Sequence, residues 1–326
     1  MADLNQIFDA YVAEKLALSR EDTAAAAKSR EWLVDLVKAT IAKRVGEPSL
    51  LPGYEVLYYG SYFKGTKVGV VDEFDILVRI DSNSGIFSSG GAEVGTGFGV
   101  ADPNHKYDDF YQKEGGGGVS PTKMLNWLKG IVEEAIKPYG GKTPIRDGQA
   151  VTARIESKDL RMDFVPGGVF KNTSGGVFYN IPRGDAGNSW LLTAPERDME
   201  RLEQAAKGRP ELKNIIRVAK RVKDTYKFQV SSFAIETAIV EYAEVAEWKA
   251  PRVVNLWLAL HALADKFRNA FVADTFDPKR NLLEGADQLE WYADRLDNIL
   301  AEFVKAEKDT DQASAKERVF KALENT

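Results

Sequence analysis

The chain has 326 residues, 44% of them hydrophobic and 29% charged, with 44 Lys and Arg against 49 Asp and Glu for a formal net charge of −5. That length suits two modest domains or one large one with a substantial core, and the acidic balance excludes a surface that binds nucleic acid throughout. The absence of cysteine excludes disulfides, zinc ribbons, thiol nucleophiles and iron–sulfur clusters, and two histidines, His105 and His261, are too few for a histidine-rich metal centre.

The first residues carry acidic side chains and no apolar core, unlike a signal peptide. No apolar run reaches the roughly 18 residues of a membrane helix. The expectation is a soluble, cytoplasmic protein that does not engage a membrane.

In chain order, residues 3–18 and 19–45 read as helices. Ser19 with Asp22 makes a capping box, and Leu33, Leu36, Val37, Ile41 and Val45 recur at helical spacing. Pro48, Pro52 and Gly53 break the pattern. Residues 54–59 form a strand ending at Gly60-Ser61. Residues 73–80 (EFDILVRI) form a second strand, alternating except at Leu77. From Asp81 to Gly118 the Gly-, Ser- and Asp-rich text, with four consecutive glycines at 115–118, reads as a long loop that supplies no core face. Residues 120–139 read as a helix with Pro121 in its first turn and Met124, Leu125, Leu128, Ile131, Val132 and Ile136 as its apolar stripe. Residues 151–155 and 160–165 make a hairpin turning near Lys158-Asp159. After about residue 195 the periodicity is helical: 213–227, 231–247, 253–273 and 288–308, then a charged terminal segment. The buried face of the first of these is Ile215, Val218, Ala219, Val222 and Tyr226.

The chemistry is concentrated in carboxylates. Residues i and i+2 of a strand share a face, about 6.6 Å apart, so Glu73 and Asp75 point one way and Phe74, Ile76 and Val78 the other. Paired carboxylates repel unless cations lie between them, and two metal ions about 3.5–4 Å apart fit that spacing. Asp163, between the core residues Met162 and Phe164, needs a partner. If its strand neighbours residues 73–80, three acids converge into an oxygen-rich site for Mg²⁺ or Mn²⁺. Gly60-Ser61, at a strand end twelve residues earlier, offers backbone N–H groups and a hydroxyl to a phosphate. Alternating acids alone usually mean a solvated face; the joint pattern points to phosphoryl or nucleotidyl transfer.

Gly60-Ser61-Tyr62-Phe63, Lys67 and Glu73-Phe74-Asp75 resemble the polymerase-β-type nucleotidyltransferases, and within them the cyclic GMP-AMP synthase branch. Residues 120–136, 150–163, 179–183, 189–193, Ser231-Ser232-Phe233 and 276–283 (FDPKRNLL) extend the resemblance in order. It implies an α+β fold: a nucleotidyltransferase core with a mixed central sheet, helices and a long N-terminal helix, plus a C-terminal helical bundle, as two lobes with a cleft, dividing near 1–190 and 191–326. It implies an enzyme joining ATP and GTP, or other nucleoside triphosphates, into a cyclic dinucleotide with release of pyrophosphate. Glu73, Asp75 and Asp163 would be catalytic and hold two Mg²⁺ or Mn²⁺ ions. Gly60, Ser61 and Lys220 would contact phosphates, and Ser232, Phe233, Thr193 and Asp198 the nucleotide. On the residues alone, Lys220 with Lys213 and Arg217 fits a solvated basic face as well, Phe233 fits a core position, and Trp190 and His261 read as packing residues.

The sequence departs from that branch in three respects. Residues 199–214, where the animal DNA sensor carries a zinc thumb, contain no Cys or His, so zinc and double-stranded DNA recognition by that route are not expected. Leu191 stands where an arginine reads a base, and Thr193 and Asp198 stand where the branch has serine and glutamate. The resemblance places the chain among bacterial members that act in anti-phage signalling through an effector. A linear or RNA-tailing nucleotidyltransferase, or a silent scaffold of this fold, are the alternatives.

Overall fold

The computed structural model describes residues 1–71, 73–81, 105–111, 118–155, 160–171, 177–184, 189–248 and 251–325. The turn at Lys158-Asp159 and most of the expected loop 81–118 lie outside them. Within the described residues the chain forms two compact units.

The first unit comprises Ser19–Phe63 and Val70–Glu196 and is built on a mixed sheet. Its strands are β1 (Val56–Tyr59), β2 (Glu73–Ile80), β3 (Ile145–Asp147), β4 (Ala150–Ile155), β5 (Leu160–Lys171), β6 (Val177–Pro182) and β7 (Trp190–Thr193). The order runs β1-β2-β5-β4-β3, with β6 paired to the far half of β5 and β7 to β6. Only the β2–β5 pair is parallel among these described strands. One face buries Phe74, Ile76, Val78 and Ile80 of β2 with Met162 and Phe164 of β5. Helix α4 (Pro121–Ile136) brings its expected stripe to that core, and its N-cap Ser120 accepts from the Lys123 N–H at 3.3 Å.

Leu77, the residue that breaks the alternation, points to the opposite face. There it is buried in a small apolar cluster with Ala150, Val165, Tyr179 and Ile181. The face that carries the acids at one end of β2 is therefore apolar at the other.

Helix α2 (Arg20–Ala42) is capped by Ser19, which accepts from the Asp22 N–H at 3.2 Å. Leu33, Val37 and Ile41 are buried, but the helix stops before Val45, which is 95% exposed and not a core residue. The expected coreless loop is corrected at Tyr107, which is fully buried and whose hydroxyl donates to the Asp81 carbonyl. Just beyond the loop, Val119 is fully buried and its carbonyl accepts from Trp190 Nε1 at 2.8 Å.

The second unit comprises Met1–Leu18, Lys64–Gly69 and Arg197–Thr326 and is helical. Helix α1 (Leu4–Tyr11) continues as a π-turn over Val12–Leu16. It packs on α6 (Leu212–Tyr226), α8 (Arg252–Arg268), α9 (Leu289–Glu307) and α10 (Gln312–Glu324), which share one core with α7 (Ser232–Val245). Helix α5 (Pro195–Ala206) enters this unit from Arg197. Of the expected face of α6, Ile215, Val218, Ala219 and Val222 are buried, and Tyr226 packs at its edge. His261 packs as expected, edge-on against Trp257 on α8 with ring centroids 5.4 Å apart, and its Nδ1 lies 3.4 Å from Asp265 one turn on. No helix of the described residues is long and apolar enough to cross a membrane.

Candidate active site

Strand pairing assembles the acids. In the parallel β2–β5 ladder Asp75 lies opposite Asp163, and in the antiparallel β4–β5 ladder Thr152 lies opposite Asp163. Paired residues share a face, so Glu73, Asp75, Asp163 and Thr152 project together. One carboxylate oxygen from each of Glu73, Asp75 and Asp163 lies within 4.8 Å of the others, and this is the one such group of potential metal ligands among the described residues. Asp163 is buried, while Glu73 and Asp75 are partly exposed.

Three carboxylates at that spacing repel one another in the absence of countercharge. The donor set is all oxygen and anionic, which suits a hard divalent cation and gives a thiol- or imidazole-seeking ion nothing to bind. The residues present thus fit a divalent metal centre.

The partner that Asp163 needs is twofold. Thr152 donates its hydroxyl to Asp163 Oδ1 at 2.6 Å. Arg161 donates from Nη2 to Asp163 Oδ2 at 3.0 Å and from Nε to Oδ1 at 3.3 Å. The sequence reading missed Arg161, although its signal was there: it stands two residues before Asp163, hence on the same face. Burial disfavours the Arg161 charge, but the bonds to Asp163 and the fields of Asp163, Glu73 and Asp147 outweigh it and raise the guanidinium above its ordinary value. Tyr59 of β1 is opposite Asp75 in register. Burial first, and then the charges of Asp75 and Asp163, hold its hydroxyl well above the usual tyrosine range.

Gly60 links β1 to the single turn α3 (Gly60–Phe63) with φ +82°. A β-carbon there would sit 1.8 Å from Asp75 Oδ2, inside any van der Waals contact. Glycine is therefore required twice over, by the left-handed backbone and by the acid beside it. Ser61 follows in α3, partly buried. The turn is held to β2 by rings: Tyr62 meets Phe74 edge-on at 4.8 Å, and the Arg30 guanidinium of α2 lies 4.9 Å from the Phe63 ring and 5.1 Å from that of Phe74.

Other expected site residues lie elsewhere. Thr193 of β7 is on the acid-bearing face by register, through Tyr179 and Val169. It is six β5 positions beyond Asp163, roughly 20 Å along the strand. Leu191 is partly buried against the Leu77 cluster, and Trp190 is buried.

Lys220, Ser232, Phe233 and Asp198 belong to the helical unit. Lys220 is not on a solvated face. It is 5% exposed, with Nζ 2.7 Å from Glu236 Oε2 and 2.9 Å from Thr66 Oγ1. Lys64 Nζ approaches the other oxygen of Glu236 at 2.6 Å, and Thr66 donates to Oε2 at 2.8 Å. Burial works against the Glu236 charge, yet Lys220 and Lys64 prevail and hold its carboxyl down to about 2. Phe233 lies 5.1 Å from Lys64 Nζ and lines a narrow cavity with Asp198, Arg201, Thr237 and Thr275. Burial pushes the Asp198 carboxyl up to about 6, against the opposing field of Lys64. Ser232 opens α7, and the capping hydroxyl is that of Ser231, 3.0 Å from the Ala234 N–H.

Residues 62–174 match the Mab-21 protein nucleotidyltransferase domain. A Bacillus cereus (strain VD146) protein named "Probable cyclic nucleotide synthase" is 25% identical over 244 residues, 73% of this chain and 70% of that one. The cyclic GMP-AMP synthase of Sus scrofa is 27% identical over 161 residues, 47% of this chain but 31% of that enzyme. Among solved structures, Escherichia coli MS115-1 CdnC with ATP superposes with a TM-score of 0.70 at 12% identity, covering 99% of this chain and 98% of that one. CdnC in its complex with HORMA-deltaN gives 0.68 at the same identity, covering 99% and 97%. These superpositions show a shared fold. The chain is a nucleotidyltransferase, its residues 62–174 matching the Mab-21 protein nucleotidyltransferase domain, and it is similar to a probable cyclic nucleotide synthase of Bacillus cereus and, over 47% of its length, to cyclic GMP-AMP synthase.

Proposed function

We propose that this protein joins two nucleoside triphosphates and closes the product into a cyclic dinucleotide. The observation that carries this reading is the meeting of Glu73, Asp75 and Asp163 beside Gly60. In each of two steps a ribose hydroxyl oxygen bonds to an α-phosphorus, the bond to the bridging oxygen breaks, pyrophosphate leaves and the hydroxyl proton passes to solvent. Glu73, Asp75 and Asp163 would hold Mg²⁺ or Mn²⁺, two ions, supplying Lewis-acid activation of the hydroxyl and charge neutralisation on the leaving group.

The chain's own residues do the rest. Gly60 presents backbone without a side chain, which lets a triphosphate approach closely, and Ser61 adds a hydroxyl donor. Thr152 fixes the orientation of the Asp163 carboxylate. Phe233 would offer a ring on which a base can stack, worth roughly 1–3 kcal/mol, and Asp198 would offer a carboxyl to a base edge. Ser232 and Thr193 would add hydroxyls for the nucleotide, and Lys220, whose charge Glu236 takes up, would reach its phosphates only by leaving that pair. Leu191 cannot hydrogen-bond a guanine edge, so base choice falls to these other groups. A GMP-AMP product made from ATP and GTP is the favoured assignment. We place the enzyme in the bacterial cytoplasm, in anti-phage signalling through an effector that binds the product.

The test is incubation with four labelled nucleoside triphosphates and Mg²⁺ or Mn²⁺, then phosphatase and separation. A compact, phosphatase-resistant product supports cyclisation. A ladder of lengths means linear tailing, and no turnover in either metal leaves a scaffold of the same fold.

A further inference from the structure

Beside the three acids stands a fourth, Asp147, on the edge strand β3. It does not join the metal-ligand group, but it binds the same guanidinium: Arg161 Nη2 is 3.0 Å from Asp147 Oδ2 and 3.0 Å from Asp163 Oδ2, and Arg161 Nε is 3.9 Å from Glu73 Oε1. One permanently charged group is thus shared between the triad and an outer carboxylate. Arg154, cross-strand from Arg161, is exposed. Asp147 is well exposed, whereas Asp163 is buried.

We infer that Arg161 is a positioning residue: an internal countercharge that holds the triad together without metal and competes with the divalent cation for it, with Asp147 anchoring the guanidinium away from the triad when the cation enters. The physical argument is one of charge. Three acids within 4.8 Å need positive charge at all times. Without a divalent cation Arg161 supplies it, at 3.0 Å from Asp163 and 3.9 Å from Glu73. With a cation present a guanidinium bonded to Asp163 becomes a like charge beside the ion, and its favourable place is against Asp147, which it already touches. Metal affinity is then set by a balance between two carboxylates for one guanidinium. The inference rests on reading the triad as a metal site.

The test uses Mn²⁺ alone, titrated into the substrate-free full-length protein and followed by calorimetry or by the electron paramagnetic resonance signal of the free ion. Arg161→Gln is expected to tighten Mn²⁺ binding about tenfold and to lower the metal-free melting temperature. Asp147→Asn is expected to weaken Mn²⁺ binding several-fold, by freeing Arg161 to bind the triad. In the Arg161→Gln background the Asp147→Asn change is expected to shift affinity less than about twofold, because the two residues act through each other. Arg161→Lys keeps a charge without the fork and is expected to bind Mn²⁺ between the wild type and Arg161→Gln, which guards against a variant that merely fails to fold. Unchanged or weaker Mn²⁺ binding in Arg161→Gln would overturn the inference. So would an equal effect of Asp147→Asn in both backgrounds, which is what a long-range field alone would give. No Mn²⁺ binding by the wild type would overturn the metal site itself, and with it the reading on which the inference stands.

Discussion

Gly60 and Asp75 are in direct steric competition: no side chain fits at residue 60 while the Asp75 carboxylate keeps its place, 1.8 Å from where a β-carbon would be. The close approach that makes the turn after β1 a candidate phosphate cradle is therefore enforced by the same acid that lines the candidate metal site. Gly60→Ala must move one or the other, and φ +82° adds about 1 kcal/mol of backbone strain. Turnover is expected to fall by about 100-fold or more, as for a misplacement of an ångström at a reacting centre. The melting temperature is expected to fall by only a few degrees. Steady-state rates and a thermal melt on the same sample check this; near-normal turnover would mean that Asp75 can move without consequence.

Glu236 anchors two lysines in the helical unit. Glu236→Ala leaves two buried ammonium groups without their carboxylate and is expected to cost about 3–5 kcal/mol, measured as a shift in the urea midpoint at constant slope.

The same carboxyl predicts an acid limb of stability. Its folded value, about 2, lies below its unfolded value of 4.5, so its contribution is complete above pH 4.5 and is lost as pH falls toward 2. Denaturant titrations from pH 6 to pH 3 should show a shallower loss in Glu236→Gln than in the wild type, though from a lower starting stability.

Asp198 behaves oppositely. Its folded value, about 6, lies above 3.8, so the folded state holds its proton more tightly and stability declines as pH rises from about 4 through 6. Asp198→Asn removes that penalty and is expected to stabilise the protein by about 1–2 kcal/mol at pH 8 and little at pH 4. Equal effects at the two pH values would contradict the assignment.

The β2 text made the site legible, because a period of two places Glu73 and Asp75 together and the intervening apolar residues in the core. The convergence with Asp163 was readable only as a condition, since strand order is set by pairings distant in sequence; the parallel register of Asp75 with Asp163 fulfils it. Strands β3, β6 and β7 escaped notice for local reasons. The first is three exposed residues, the last is only four residues with Trp190 buried, and β6 ends at Pro182. Lys220 read as part of a basic helix face because its partners come from afar, Glu236 from the next helix and Thr66 from 154 residues earlier. A charge pattern on one helix carries no information about a carboxylate on another. Val45 failed for the converse reason: helical spacing continued in the text past the point where the helix stopped.

The most direct measurement compares wild-type protein with Asp75→Asn, a near-isosteric change that removes one like charge from the triad and so should not lower the melting temperature. Both are incubated with labelled ATP and GTP in Mn²⁺, and product and pyrophosphate are quantified. The account predicts cyclic product and two pyrophosphates per molecule formed from the wild type, none from an equally stable Asp75→Asn, and none from the wild type with a chelator. Retained synthesis by folded Asp75→Asn, or synthesis that survives the chelator, would contradict it.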